Sequence, residues 1–245
     1  MLRTLFLIDR FLSKIDTISP VFISRDGYLC VSGFSTLTKQ VCFFIRTNFN
    51  YTDDLFAVRN WKSLSTILHS IDVDKTEVLL EKNKDGYPYR LVFKSGRSKI
   101  TYYLQTKQII SNEYKSFSFN VDNPASYQDL PEFDDELIKS FMTATKITMV
   151  DTFSLNRVDN ELFAIFGDKN SSVDNVEIKL LDNCNKVDIP PLKLYNTADI
   201  INLIKVSDNP RLCMISNDKI ELISTATIDD FEYTAGFIFS SKTRI

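Results

Sequence analysis

The amino-acid sequence repeats one structural pattern four times. Each copy begins with a helix whose apolar residues recur three and four positions apart, and continues into segments where β-branched and aromatic residues alternate with polar ones. The bends between these segments carry pairs such as Asp-Gly and Asn-Asp, which tolerate the positive φ of hairpin turns. The repeat is one of pattern rather than of identity, and it predicts an α+β protein built from similar units.

The repeat assigns most of the chain to helices or strands. The predicted helices are Leu2–Ile15, Ala57–Ile71, Asp134–Ile147 and Thr197–Val206. The predicted strands are Val21–Ser24, Tyr28–Val31, Val41–Ile45, Glu77–Lys82, Tyr89–Phe93, Ile100–Leu104, Thr152–Asn156, Leu162–Phe166, Val176–Leu181, Leu212–Ser216, Lys219–Ile223 and Tyr233–Phe239. The predicted turns are Asp26-Gly27, Asp85-Gly86, Ser95-Gly96, Asp159-Asn160 and Asn217-Asp218.

The spacing of the four copies predicts two domains. The second and third helices lie farther apart than the other neighbours, and the extra residues fall in Lys107–Pro131, a polar stretch that contains Pro124 and Pro131. Such a segment is typical of a linker between domains. We therefore expect a first domain at 1–106, a connector at 107–131 and a second domain at 132–245.

Composition excludes several classes of protein. Hydrophobic residues make up 44% and aromatic residues 12% of the 245 residues, which is enough for a packed core and argues against disorder. The net charge of -3 argues against a protein that grips nucleic acid with a strongly basic face. No apolar run approaches the roughly 20 residues that cross a bilayer, so the sequence predicts a cytoplasmic protein without membrane contact.

The chain lacks the usual signatures of an enzyme. Cys30, Cys42, Cys184 and Cys213 form no C-x-x-C pair, and His69 is the only histidine. No P-loop, G-x-G-x-x-G or G-x-S-x-G motif occurs. The acidic run Asp134–Glu136 fits the cap and first turn of a helix better than a metal site. We expect no catalytic residue, no bound metal and no cofactor.

Each predicted helix has an apolar face opposite a basic or neutral one. The predicted buried positions are Leu5, Ile8, Leu12 and Ile15; Trp61, Leu64, Leu68 and Ile71; Leu137, Phe141 and Ala144; and Ile200, Leu203 and Ile204. The opposite faces carry Arg3, Arg10 and Lys14; Arg59, Lys62, Thr66 and His69; Lys139, Thr143 and Lys146; and Asn202 and Lys205. One such stripe is usually a solvated surface, but its recurrence in an acidic chain favours a functional one.

This arrangement resembles the DNA polymerase sliding clamps, among them the tailed-phage clamps and the eukaryotic and archaeal ring clamps. The resemblance covers the whole chain. It is clearest in the helix residues 63–68 with the strands that follow up to Leu104, which look like the second half of a clamp's first domain. Asp134–Ile147 with the strands up to Leu181 looks like the start of the second domain.

The resemblance implies a homotrimeric ring of six similar domains, with helices lining the hole and sheets forming the rim. It implies a processivity factor that encircles duplex DNA, tethers a DNA polymerase and is opened by an ATP-dependent loader. A ring held by topology needs only weak contacts to phosphate, which reconciles DNA binding with an acidic chain. The implied DNA-facing residues are Arg3, Arg10, Lys14, Arg59, Lys62, His69, Lys139, Lys146 and Lys205.

The resemblance also implies an apolar pocket for partner peptides. The matching residues are Ile109, Ile110, Phe117 and Phe119 in the connector, with Phe237 and Phe239 near the C-terminus, although such aromatics are as often core residues. Subunit interfaces in these clamps join edge strands, for which Lys99–Leu104 and Asn175–Leu181 are candidates. The chain departs from the clamp pattern in having at most a very short strand before its first helix.

Two other functions stay open at this stage. The first is a monomeric or dimeric processivity factor of the same fold that grips DNA from one side, which would want a stronger basic face. The second is a viral or cellular interaction protein of α+β fold that never touches DNA. A hydrolase ranks below both because the chain has a single histidine and no nucleophile motif. Divergence from cellular clamps suggests a phage or other viral origin, and hence the cytoplasm of an infected cell.

Overall fold

The structure is an α+β fold with two compact units. It is a computed structural model that describes residues 1–15, 20–25, 28–34, 41–48, 55–105, 128–167, 174–184, 193–216, 219–228 and 231–243. Unit 1 comprises residues 1–119 and 225–236, and unit 2 comprises residues 120–224 and 237–245. No helix in these ranges is both long and apolar enough to span a membrane.

Each unit contains two α-helices among its described residues. The helices are α1, Leu2–Leu12; α2, Trp61–Ser70; α3, Asp135–Thr148; and α4, Thr197–Val206. A short 3₁₀ helix follows α2 at Val73–Lys75. Side-chain caps start three of the α-helices: Asn60, Asp134 and Asn196 each accept a hydrogen bond from a backbone N–H in the first turn.

The described strand pairs are antiparallel. The strands are β1, Val21–Arg25; β2, Tyr28–Phe34; β3, Val41–Thr47; β4, Phe56–Ala57; β5, Glu77–Lys82; β6, Pro88–Ser95; β7, Ser98–Tyr103; β8, Gln128–Asp129; β9, Thr152–Val158; β10, Glu161–Phe166; β11, Val176–Leu181; β12, Lys193–Asn196; β13, Arg211–Ser216; β14, Lys219–Ile228; β15, Phe231–Ser240; and β16, Lys242–Thr243.

The strand order identifies which strands lie at sheet edges, β7 and β11 among them. In unit 1, β4-β1-β2-β3 are consecutive neighbours, and β5-β6-β7 form a separate three-stranded sheet with β7 at one edge. In unit 2, β11-β10-β9-β12-β16 form a five-stranded sheet with β11 at its edge, and β13 lies between β14 and β8. The candidate edge strands of the sequence, Lys99–Leu104 and Asn175–Leu181, correspond to β7 and β11. Both lie at edges among the described strands.

Aromatic side chains fill the core of each unit. In unit 1, Phe22 stacks on Phe56 with ring centroids 4.7 Å apart and on Trp61 at 6.2 Å. In unit 2, the Phe141 ring meets Phe153 and Phe166 edge-on at 5.2 Å and 5.1 Å. These large rings bury much apolar surface, so they anchor the helices to the sheets beneath them.

The predicted fold class is confirmed, whereas some helix boundaries are wrong. The second helix begins at Trp61 rather than near Ala57, because Phe56 and Ala57 pair with β1 as strand β4 and Asn60 then caps the helix. The first helix ends at Leu12 rather than Ile15. Strand β12 was not predicted.

The buried face of α3 also differs from the prediction in one position. Ile138 is buried where Leu137 was expected, while Phe141 and Ala144 are buried as predicted. The predicted turns at Gly86, Gly96 and Asp159 have positive φ. The turns at Asp26-Gly27 and Asn217-Asp218 lie outside the described residues, as does most of the predicted connector 107–131.

A buried acid–thiol pair links two strands of unit 2. Glu221 on β14 lies opposite Cys213 on β13, and both residues are buried. The Cys213 thiol donates to a Glu221 oxygen at a distance of 3.9 Å, which is a weak bond. Burial raises the pKa of Glu221 above its ordinary value, and it raises the pKa of Cys213 to about 12.

The Glu221→Gln variant is expected to be more stable than the wild type at neutral pH. Burial raises the pKa of Glu221 in the folded state above its ordinary value of 4.5. The contribution of Glu221 to the free energy of unfolding is therefore most favourable below pH 4.5, and it is lost as the pH rises through the folded-state pKa. We expect a gain of about 1–2 kcal/mol in the free energy of unfolding at pH 8 and less at pH 5. Urea unfolding at the two pH values measures the difference. Glu77→Gln, a change at an exposed strand position, should have no such effect, and an equal gain there would refute the explanation.

Candidate nucleic-acid interface

The four α-helices pack in pairs, one pair in each unit. Helix α1 contacts α2, and α3 contacts α4. The buried sides of these helices are apolar, as the 3.6-residue periodicity predicts. The opposite sides carry the basic residues that the sequence analysis singled out, so each unit presents a helix pair with positive charge on its exposed face.

The basic residues of unit 1 occupy different kinds of position. Arg3 on α1 and Lys62 on α2 are exposed helical residues, whereas Lys14 lies in the turn after α1 and Arg59 lies before the Asn60 cap. Arg10 is half-buried, with its guanidinium carbon 5.8 Å from the centroid of the neighbouring Phe11 ring. Arg3, Lys14, Arg59 and Lys62 are thus all exposed, but only Arg3 and Lys62 lie within the helices.

His69 is held by a carboxylate that the sequence analysis did not single out. Its Nε2 lies 2.9 Å from Oδ2 of Asp9, and the other Asp9 oxygen accepts a hydrogen bond of 2.9 Å from Trp61 Nε1. The Asp9 side chain is 4% exposed while the imidazole is 67% exposed. The Phe6 ring also meets the imidazole edge-on, with centroids 6.3 Å apart.

This cluster ties α1 to α2 and changes the interpretation of His69. A buried carboxylate needs hydrogen-bond partners, and Trp61 and His69 supply one for each oxygen. His69 therefore uses Nε2 to contact Asp9. It is more than one further polar residue on the exposed face of α2. The signal for this was present in the sequence as a carboxylate between Ile8 and Leu12, on the apolar side of α1.

The basic residues of unit 2 lie on the exposed sides of α3 and α4. Lys139 and Lys146 are exposed on α3, and Lys205 is exposed on α4. The Lys205 ammonium lies 3.8 Å from the sulfur of Met142, a contact that joins the two helices. Asp134 caps α3 by accepting a 2.8 Å hydrogen bond from the Leu137 N–H, as the sequence predicted for this acidic run.

Among the described residues, three basic residues on the strands are ion-paired, whereas three lysines on the helices are not. On the strands, Arg90 pairs with Glu81, Lys179 with Glu161 and Asp182, and Arg211 with Asp129. Hydrogen bonds to these carboxylates raise the pKa of each of the three basic groups. Within the part of the chain that the structure describes, Lys62, Lys139 and Lys146 form no ion pair. Their charge is therefore available to an anion from outside.

The predicted partner-peptide pocket is not assembled from the described residues. Ile109, Ile110, Phe117 and Phe119 lie outside them. Phe237 and Phe239 lie on β15 with exposures of 0% and 3%. Burial of this degree fits the alternative in which these two rings are core residues, because a fully buried ring offers no surface to a peptide.

The described residues hold no obvious centre for chemistry. Among them, no three His, Cys, Asp or Glu side chains are grouped closely enough to hold a metal ion. Among the described residues, no serine hydroxyl or cysteine thiol is hydrogen-bonded to Asp9 or His69, as a nucleophile would be. The exposed lysines on the helix faces are suited to electrostatic contact with an anion.

Comparisons by sequence and by structure give different results. No protein-family model matches the chain, and no curated protein matches it by sequence. A PCNA from A. fulgidus, solved with the C-terminal region of FEN-1, matches 100% of this chain and 97% of its own, with a TM-score of 0.64 and 12% identity. The PCNA of Entamoeba histolytica matches 98% of this chain and 94% of its own, with a TM-score of 0.57 and 14% identity.

A bacterial protein with a longer chain is similar as well. The beta subunit of DNA polymerase from Streptococcus pyogenes matches 99% of this chain with a TM-score of 0.66 and 13% identity. The match covers 64% of that chain, so the present chain spans less than two thirds of it. At such low identities, these likenesses establish a shared fold over the whole of the present chain.

Proposed function

We propose that this chain, which has the fold of the DNA sliding clamps, is a processivity factor that encircles duplex DNA as a homotrimer. The resemblance inferred from the sequence is confirmed at the level of the fold. The observation that carries the proposal is the set of exposed, unpaired lysines on the helix pairs of a chain whose net charge is -3. Such a surface attracts phosphate weakly and without reading bases.

The charge distribution supports sliding rather than tight binding. Lys62, Lys139 and Lys146 form no ion pair among the described residues, whereas the strand residues Arg90, Lys179 and Arg211 are each paired with a carboxylate. Long, flexible lysines contact phosphates as point charges, and their contacts exchange easily as the duplex moves. In this proposal Arg3, Arg10, Lys14, Arg59 and Lys205 add to the same field, and His69 faces the duplex while held by Asp9.

We propose a trimer because each chain has two units, so that three copies would supply a ring of six. In this proposal the strands β7 and β11, which lie at edges among the described strands, pair with strands of a neighbouring copy. Because the two strands belong to different units, pairing β7 of one copy with β11 of the next is a heterologous contact, the kind that closes rings. Such pairing gives main-chain hydrogen bonds without requiring a large apolar interface.

The proposed role is that of a tether rather than of an enzyme. A polymerase bound to the ring would stay on its template, and a loader with ATPase activity would open the ring, since no nucleotide-binding motif occurs in the sequence. The PCNA of A. fulgidus was solved with the C-terminal region of FEN-1, which supports peptide docking by proteins of this fold. The pocket residues Ile109, Ile110, Phe117 and Phe119 remain part of the proposal.

The mass of the protein in solution tests the ring directly. Light scattering behind size exclusion, over a range of concentrations, should give a mass near three times 28.2 kDa. A chain that stays monomeric at high concentration would refute the homotrimer. A Lys179→Pro variant on edge strand β11 should lower the mass, because proline disfavours strand pairing where it is inserted. Wild-type circular dichroism in the variant would establish that the unit itself is intact.

A further inference from the structure

A buried carboxylate lies behind the exposed histidine of helix α2. Asp9 on α1 has a side chain that is 4% exposed, and its two oxygens lie 2.9 Å from Trp61 Nε1 and 2.9 Å from His69 Nε2. Burying a carboxylate is costly unless its charge is paired and its oxygens are hydrogen-bonded. The pairing leaves most of the imidazole outside the core, since the His69 side chain is 67% exposed.

The Asp9 carboxylate determines which ring nitrogen of His69 carries a hydrogen. An ionised carboxylate only accepts hydrogen bonds, so the Nε2 atom beside it must be a donor. A neutral imidazole has a single N–H, and its other nitrogen is an acceptor. Nδ1 of the neutral ring therefore has a lone pair, and it gains a hydrogen only when the ring is protonated.

The Nδ1 atom of His69 has no hydrogen-bond partner among the described residues. The Phe6 ring meets the imidazole edge-on, with centroids 6.3 Å apart, and this contact restricts the ring without bonding to its nitrogen. A phosphodiester oxygen is an acceptor as well, so it bonds to Nδ1 only when that atom carries a hydrogen. A contact with phosphate is therefore open to the protonated ring and closed to the neutral one.

We propose that Asp9 is a positioning residue, which makes the contact between His69 and a DNA phosphate depend on protonation of the imidazole. Because Asp9 holds Nε2–H, the neutral ring presents a lone pair to the duplex, whereas the ring that has taken a proton from solvent presents an N–H and a positive charge. The inference rests on the proposed function, since it requires the exposed side of α2 to face duplex DNA. Histidine ordinarily gains its proton between pH 8 and pH 5, so affinity for the duplex rises as the pH falls over this range.

The α-amino group of Met1, at the start of α1, also titrates in this range, because burial lowers its pKa below the ordinary value. Arginine, lysine and carboxylate side chains ordinarily keep their charge over the same range. A variant without the histidine is therefore needed to separate His69 from Met1. The charged side chains described on α1, on α2, in the following 3₁₀ helix and just beyond the ends of the two helices are Arg3, Asp9, Arg10, Lys14, Arg59, Lys62, Asp72, Asp74 and Lys75.

His69 is the only histidine of the chain, so its ring signals need no assignment in a protein prepared without a histidine tag. With ¹⁵N in the ring, the shifts at pH 8 identify the nitrogen that carries the hydrogen. We expect Nε2 in the wild type and a mixture of Nε2 and Nδ1 in Asp9→Asn, whose amide can donate to the ring. At pH 7, saturation with a short DNA duplex should move the wild-type Cε1–Hε1 signal toward its position at pH 5. A wild-type ring with its hydrogen on Nδ1, or a signal that stays in place while the duplex binds, would overturn the inference.

Duplex affinity at pH 8 and pH 5.5, measured by fluorescence anisotropy, tests the consequence for binding. The wild type should bind about three- to fivefold more tightly at pH 5.5, and its salt slope should be steeper there by about one. The gain should fall below about twofold in His69→Gln. In Asp9→Asn the gain should be smaller than in the wild type, because the neutral ring can then donate to a phosphate as well. Ser70→Gln, at the exposed residue next to His69, is the matched control and should keep the wild-type gain.

The outcomes distinguish this inference from the proposed function. Duplex binding of equal strength at the two pH values in the wild type, or a gain in His69→Gln or Asp9→Asn equal to that of the wild type, would overturn the inference and leave the proposed function in place. Absence of duplex binding at both pH values would overturn both. Because Asp9 is buried, its variant is compared only when its circular dichroism matches that of the wild type, and the wild-type tautomer and His69→Gln carry the test otherwise.

Discussion

Replacing Lys62, Lys139 and Lys146 together by glutamate is expected to weaken binding to a short linear DNA duplex by about ten- to a hundredfold at low salt. The three lysines are exposed and form no ion pair within the described residues, so their reversal removes contacts to phosphate without disturbing internal ones. The plot of log K against log salt concentration should also become shallower by about three, one for each lost phosphate contact. Fluorescence anisotropy over a salt series measures both quantities.

A matched variant separates the position of the charges from their number. Lys84, Lys94 and Arg97 are exposed residues on or between strands β5, β6 and β7, and their replacement by glutamate changes the net charge equally. If the helix pairs face the duplex, this control should keep most of the affinity and nearly the whole salt slope. Equal losses in the two variants would show that net charge alone governs binding, and the helix faces would lose their assigned role.

Phe141→Ala is expected to lower the free energy of unfolding of unit 2 by about 3–5 kcal/mol. The ring is 1% exposed, and the rings of Phe133, Phe153 and Phe166 surround it at centroid distances of 5.1, 5.2 and 5.1 Å. Alanine would leave a cavity at the point where α3 meets β9 and β10. Urea unfolding followed by far-ultraviolet circular dichroism should show a midpoint lower by roughly 1 M or more.

Two further variants serve as controls for this prediction. Met149→Ala, at a residue that projects into solvent after α3, should leave the midpoint within error of the wild type. Phe141→Leu should cost less than half as much as the alanine variant, because it retains most of the apolar volume. A Phe141→Ala midpoint indistinguishable from that of Met149→Ala would mean that the aromatic cluster does not hold α3 on the sheet.

Elements whose own sequence determines them were predicted well. The predicted bounds are correct for the strands Glu77–Lys82 and Val176–Leu181 and for the helix Thr197–Val206. The signals for these elements, such as alternation in the strands and the cap residue Asn196 before the helix, lie in or next to each segment. The start of α2 was wrong for the opposite reason. Phe56 and Ala57 fit a helical period, but their pairing with Phe22 and Val21 of β1 outweighs that local preference.

The details of the candidate site depend on partners that are distant in sequence. Asp9 meets Trp61 and His69 only because α1 and α2 pack together, and 52 residues separate Asp9 from Trp61. The contact between Lys205 and Met142 likewise joins residues from two repeats. Sequence periodicity identifies the exposed face of each helix, but it gives neither the pairing of helices nor the charge partners of a given lysine, which are set by tertiary packing.

The division of residues between the units also fixes when unit 1 can be completed during translation. Asn48 and Glu232 both belong to unit 1 and bond through their backbones at 3.2 Å, although 184 residues separate them. The ribosome must therefore synthesise almost all of unit 2 before the hairpin of residues 225–236 reaches unit 1. Until then β3 lacks its neighbour β15 and presents an open edge, the kind of surface that aggregates. Nascent chains of this protein are thus exposed for longer in unit 1 than the order of the domains along the chain would suggest.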